Sequence, residues 1–295
     1  MYMDRLKFLK LLSAVPVMSV IKFDDLYAMA SGQPESGLMP VLFLGHGSPM
    51  NAIEENEFVN GFRAVSKKLP RPAAILCVSA HWETRGTWVT VSEKPRTIHD
   101  FGGFPKELFE VKYPAPGSPK ITAEIQAGIK NTKVGADDKW GLDHGCWSVV
   151  KHLNPKADIP VLQLSLDHTK TPAEHYALAK ELAWLRRKGI LIIGSGNMVH
   201  NLGKVAWNRL NETYGFDWAL EASDLMKNSI KMRDHRFLVN YKEKGSAINL
   251  AVPTPEHFLP LLYTLALQEK NETAELFNDK PVAGSLTMTS VMVKS

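Results

Sequence analysis

Short, wholly apolar runs alternate along this chain with segments whose apolar positions recur every three or four residues. Residues 41–44 (VLFL) contain no polar position, the pattern of a strand buried on both faces, and the run stops at His46 between Gly45 and Gly47. Residues 54–69 follow with Phe58, Phe62, Val65 and Leu69 at helical spacing, ended by Pro70 and Pro72. A second apolar run, 73–80 (AAILCVSA), leads directly into His81 and Trp82. The pattern predicts a strand-helix-strand unit with a histidine at the end of each strand.

Farther along, 88–91 predicts a short strand, 119–130 a helix, and 141–147 (GLDHGCW) a turn-rich segment leading into 148–153. Residues 95–119, which include HDFGGFP and YPAPGSP, are too long for a bare connection and are expected to shape a pocket. The runs 159–166 and 189–194 predict strands separated by a helix over 172–188, a second crossover unit. Residues 217–232 are an amphipathic helix. Thr254 and Pro255 have the form of an N-cap and first helical residue, which puts His257 in a first turn. Alternation over 285–293 predicts a last strand. The whole reads as one α/β domain with a mostly parallel central sheet flanked by helices.

In such sheets ligands bind beyond the carboxyl ends of the strands. His46, His81 and, after the GSGNMV turn, His200 all fall at that edge. Any one of them alone would be a hydrogen-bonded structural residue more often than a ligand. Three, from three strand ends, match the donor set of a first-row metal with open positions left for substrate. Gly45 and Gly47 are expected to leave room for a ligand at the backbone.

The totals add limits. The chain has 295 residues and a formal net charge of +4, with no block of like charges that would mark a nucleic-acid or membrane partner. Two cysteines, Cys77 and Cys146, make neither a disulfide framework nor a CxxC metal site, and both are expected in the core. Residues 1–38 stand apart as an N-terminal extension. Arg5, Lys7 and Lys10 precede an apolar run, Ala28-Met29-Ala30 has the form of a cleavage site, and 31–37 read as linker, whereas Lys22, Asp24 and Asp25 interrupt the pattern. Two readings stand: an export signal, with a periplasmic protein, or an amphipathic extension of a cytoplasmic one. No other stretch reaches the roughly 18 apolar residues of a membrane span.

The ordered motifs LFLGHGSPM, SAHW, TIHDFGGFP, YPAPGSP, DHG, SGNMVHN and PTPEHFLPLLY run from residue 42 to residue 263. In that order they resemble the 4,5-DOPA extradiol dioxygenase-like family of class III extradiol dioxygenases, in the protocatechuate 4,5-dioxygenase β-subunit superfamily. The resemblance implies a catalytic domain over 39–295 and one divalent metal, Fe(II) for activity or Zn(II) as bound. It further implies His46, His81, His200 and His257 as ligands, and His144 as an acid/base group. On the wider superfamily pattern His200 is instead the base. Asp100, Asp143 and Glu256 are expected to cap or orient, and Phe101 and Phe104 to wall the pocket or simply pack in the core. The implied partners are a small aromatic diol and O2. Two other classes use the same residues: a zinc hydrolase, and a binding module without redox chemistry.

Overall fold

The hydrophobic pattern is realised as a sheet covered on both faces. A computed structural model describes residues 37–210 and 212–295, so the expected signal-like segment lies outside the described residues. In chain order the elements are β1 (Val41–Gly45), α1 (Glu57–Ser66), β2 (Ala74–Thr84), β3 (Thr87–Thr90), α2 (Lys106–Phe109), α3 (Pro119–Gly128) and β4 (Val134–Asp137). Then come α4 (His144–Leu153), β5 (Val161–Asp167), α5 (Pro172–Lys180), α6 (Ala183–Arg187), β6 (Ile190–Gly196), α7 (Asp217–Lys231) and α8 (His235–Val239). The chain closes with α9 (Ser246–Ala251), α10 (Leu259–Ala266), β7 (Thr273–Phe277), β8 (Pro281–Val282), β9 (Leu286–Thr287) and β10 (Ser290–Lys294). Among the described residues no helix is long and apolar enough to cross a membrane.

Eight strands form one sheet in the order β4-β3-β5-β2-β6-β1-β10-β7. The centre is parallel, with β6 between β2 and β1, and antiparallel pairs join β10 to β1 and to β7. Successive residues of a strand face opposite sides, which explains the apolar runs. Val41 and Phe43 of β1 join a core under α5, α7, α9 and α10, whereas Leu42 and Leu44 join the core under α1 and α4. Because β1, β2 and β6 run the same way, His46, His81 and the turn after Gly196 emerge at one edge.

Four expectations change. The segment 141–147 is not turn throughout: α4 begins at His144, with Asp143 as N-cap accepting from Cys146 N at 3.0 Å. Gly145, which masked this helix start, is there for packing, since a Cβ would lie 2.5 Å from Ser79 Oγ and 2.7 Å from His81 Cδ2. Thr254 does not cap a helix; its hydroxyl donates to Glu256 Oε1 at 2.8 Å, and α10 starts only at Leu259. His257 therefore sits in the preceding turn. The helix over 172–188 breaks into α5 and α6, and the last strand divides into β9 and β10. The edge strand β7 and the short α8 and α9 have too few periodic positions to stand out in the sequence.

Candidate metal centre

Each strand end delivers its histidine through a local constraint. Gly45 pairs with Gly196 in the sheet, and His46 N donates to Gly196 O at 3.1 Å, so the first histidine leaves β1 against the end of β6. Asn51 Nδ2 holds the His46 carbonyl at 2.9 Å. β2 continues past His81 to Thr84, but its register with β5 shifts between Val78 and Glu83, a bulge that re-aims His81. His257 approaches β6 because Gly196 has no side chain: a Cβ there would collide with the His257 carbonyl, which accepts from Asn197 N at 2.9 Å. Gly45 and Gly47 do not open space for a ligand as expected; both are packed against Met288, and Gly47 also needs its left-handed φ of 61°.

The site brings His46, His81 and His257 together with ligand atoms within 4.8 Å of one another. His46 Nε2 and His81 Nε2 are 3.3 Å apart. The hydrogen-bond network assigns the tautomers of His46 and His257. Ser195 Oγ donates to Gly145 O at 2.5 Å, so at 3.0 Å it accepts from His46 Nδ1 and leaves the His46 Nε2 lone pair bare. His257 Nδ1 donates to Glu256 Oε1 at 3.0 Å, and His81 Nδ1 lies 3.4 Å from Asp100 Oδ2. With the His81 proton on Nδ1, facing Asp100, the two Nε2 lone pairs face each other and repel unless a cation lies between them. Their separation also equals the roughly 3.3 Å that two imidazole ligands 2.0–2.1 Å from a tetrahedral ion would show. The donor set fits a metal, with each ring oriented by a partner on its other nitrogen.

His200 joins differently. Its ring stacks on His257 with centroids 3.5 Å apart and an interplanar angle of 8°, and it groups with Glu256 and His257, not with His46 and His81. His144 lies on the opposite side, its ring centroid 3.8 Å from that of His81 and its Nδ1 donating to Asp100 Oδ2 at 2.9 Å. Phe101 meets His144 edge-on at 5.5 Å and carries Phe104 edge-on at the same distance, while both also pack on the α1/α4 core. Wall and core are here one role. Cys77 and Cys146 are buried, and burial pushes the Cys146 thiol up, away from a nucleophilic thiolate.

The electrostatics suit neutral imidazoles. Burial, and then the other histidines, hold His46 and His81 well below the usual histidine value. Burial and His257 bring His200 down to about 3 against the opposing pull of Glu256. Burial alone would raise the Glu256 carboxyl, but hydrogen bonds from His257, its own amide and Thr254 hold it at about 2. Metal ligation needs histidines in this deprotonated state.

Sequence reasoning did not single out Ser195, Ser79, Gln163 or Asn51. Ser79 Oγ and Gln163 Nε2 donate to the buried Asp143 at 2.7 and 2.6 Å, fixing the start of α4 beneath His81 and His144. A signal was present: Ser195 and Gln163 are polar positions inside fully buried strands, and a buried polar side chain requires a partner.

Comparison with known proteins agrees with this geometry. Residues 40–282 match the family described as the catalytic LigB subunit of aromatic ring-opening dioxygenase. The chain is 43% identical over 259 residues to the 4,5-DOPA dioxygenase extradiol of Escherichia coli (strain K12), covering 86% of this chain and 94% of that one. It is 36% identical over 265 residues to the 4,5-DOPA dioxygenase extradiol of Beta vulgaris, covering 87% and 97%. The crystal structure of uncharacterized protein JW3007 from Escherichia coli K12 superimposes with a TM-score of 0.75 at 39% identity, over 87% of this chain and all of that one. With its histidine cluster at the carboxyl edge of the sheet, the chain belongs to the LigB family of aromatic ring-opening dioxygenases and is a metal-dependent extradiol dioxygenase.

Proposed function

We propose that His46, His81 and His257 hold one divalent metal through Nε2, iron(II) in the active enzyme and zinc(II) as a competing occupant, and that the substrate is a catechol such as DOPA. The observation that carries the ligand assignment is the approach of the two Nε2 atoms to 3.3 Å, with the Nδ1 of each ring facing a polar partner. When bound, iron(II) supplies the electron exchange between an electron-rich ring and O2 that zinc(II), without an accessible redox change, does not. DOPA is proposed because the Escherichia coli and Beta vulgaris relatives are named for it.

His200 is assigned to proton handling and not to ligation. Ligands of one ion must aim their in-plane lone pairs at one point, and two rings stacked nearly parallel at 3.5 Å aim theirs side by side. His144, held by Asp100, stands on the other flank and takes or returns the proton of a catechol hydroxyl there. Phe101, edge-on to His144, excludes water from that side. The catalytic domain is taken as 39–295, which the family match over 40–282 supports, with 1–38 as an extension outside it.

The test is elemental analysis of reconstituted wild type beside His46→Ala, His81→Ala, His257→Ala, His200→Ala and His144→Ala, with oxygen uptake on a panel of catechols after anaerobic iron(II) loading. Metal is expected to be lost from the first three variants and kept by the last two, which lose turnover. Unchanged metal content in His46→Ala and His81→Ala overturns the ligand assignment. Wild type that consumes no oxygen with any catechol overturns the substrate class.

A further inference from the structure

Asp100 stands out among the side chains that orient the histidines, because one of its oxygens serves two rings. Its Oδ1 accepts from His144 N at 2.8 Å, and its Oδ2 accepts from His144 Nδ1 at 2.9 Å. The same Oδ2 lies 3.4 Å from His81 Nδ1, too far for a full hydrogen bond. The other two rings of the cluster each have a partner at 3.0 Å that serves no second ring, Ser195 for His46 and Glu256 for His257.

The backbone places the carboxylate beside both rings, and the His144 ring holds Oδ2 on its own side. Leu142 N donates to Arg96 O at 2.8 Å and Ile98 N to Leu142 O at 2.7 Å, which ties the strap before Asp100 to the start of α4. Trp147 Nε1, one turn into α4, holds Ile98 O at 2.7 Å. Asp100 is thereby fixed at the first residue of α4, where it grips His144 by both ring and amide.

We infer that Asp100 is a positioning residue that divides one carboxylate between His81 and His144, so that the strength of metal ligation and the placement of the acid/base ring trade against each other. This rests on the proposed metal assignment. Holding His144 in place weakens the orienting contact to His81. Releasing His144 lets Oδ2 close on His81 Nδ1 to an ordinary charge-assisted distance of about 2.8 Å.

The test uses zinc(II) and cobalt(II) alone as probes, with affinity read by competition against a chromophoric chelator, and steady-state kinetics of the iron(II) enzyme alongside. An outer partner of a ligating histidine is worth about 10- to 100-fold in affinity or activity. His144→Ala is expected to bind metal about 3- to 10-fold more tightly than wild type, a fraction of that full value. Asp100→Ala is expected to bind about 10- to 100-fold more weakly, and adding His144→Ala to it should restore nothing. Asp100→Ala should also lower kcat with KM nearly unchanged. Asp100→Asn, nearly isosteric, should fall between wild type and the alanine variant, and it carries the comparison if Asp100→Ala does not fold. A merely structural His144 would leave affinity equal or lower when removed, with additive effects in the double variant, and either result overturns the sharing. Wild type that binds neither ion overturns the metal assignment instead.

Discussion

Ser195→Ala removes a single hydroxyl that bears on one ring of the histidine cluster. The hydroxyl is fully buried at the end of β6, accepting from His46 Nδ1 at 3.0 Å and donating to Gly145 O at 2.5 Å. Removing it leaves the His46 ring N–H without a partner, and a buried donor left unsatisfied costs about 1–3 kcal/mol. His46 has an escape: moving its proton to Nε2 lets it donate to His81 Nε2, already 3.3 Å away. That escape protects the metal-free fold and blocks the lone pair that would ligate. Metal affinity should therefore fall about 10- to 100-fold, which is about 1.4–2.7 kcal/mol. The metal-free protein should lose only about 1–2 kcal/mol, or roughly 2–4 °C in Tm for each kcal/mol at this chain length. Ser290→Ala is the matched control. That hydroxyl is also fully buried, accepting from Gly45 N at 3.0 Å and donating to Met288 O at 3.0 Å, with no hydrogen bond to a histidine ring. The assay is zinc(II) competition against a chelator together with thermal unfolding of the metal-free proteins. Equal metal affinities for the two variants would refute the tautomer argument, whatever their Tm values.

Two further predictions concern the scaffold. Arg186 and Glu272 form a buried pair, with Arg186 Nε also donating to Met39 O at 2.8 Å, so Arg186→Ala strands a buried carboxylate and should cost about 3–5 kcal/mol in urea unfolding. Arg186→Met with Glu272→Leu should recover most of that loss, and a double variant no more stable than the single one would contradict the account. Burial lowers His175 to about 4 from its ordinary value of 6.5. The unfolded chain then binds the extra proton between those values, so the contribution is complete above about pH 6.5 and is lost as pH falls toward about 4, up to about 3 kcal/mol. The slope of stability against pH in that window should flatten by up to about 1.4 kcal/mol per pH unit in His175→Gln. The site histidines steepen both curves alike, so parallel curves for wild type and variant would refute it.

The central strands, the crossover helices and the placement of His46 at a strand end were legible because burial on two faces leaves a continuous apolar run, a local signal, whereas His81 lies within β2, which runs on to Thr84. The resemblance carried by the motifs supplied His257 and His144, which no periodicity singles out. Misread segments were those where a tertiary contact outweighs a local rule. Gly145 reads as turn, yet lies inside α4 because the wall of Ser79 and His81 leaves no room for a side chain. Thr254 reads as a cap, yet its hydroxyl is taken by Glu256.

What the sequence by itself determined is the set of imidazoles and the edge of the sheet at which they emerge. Only the tertiary structure decided how they divide: three rings converging, His200 stacked aside, and His144 sharing Asp100 with His81. The physical reason is range. Hydrophobic periodicity is written within a dozen residues, whereas the partner of each ring nitrogen comes from wherever the fold brings it. Ser195 lies 149 positions from His46, and Asp100 lies 44 from His144. A histidine's role depends on which of its nitrogens is left free, and that is settled by those distant partners.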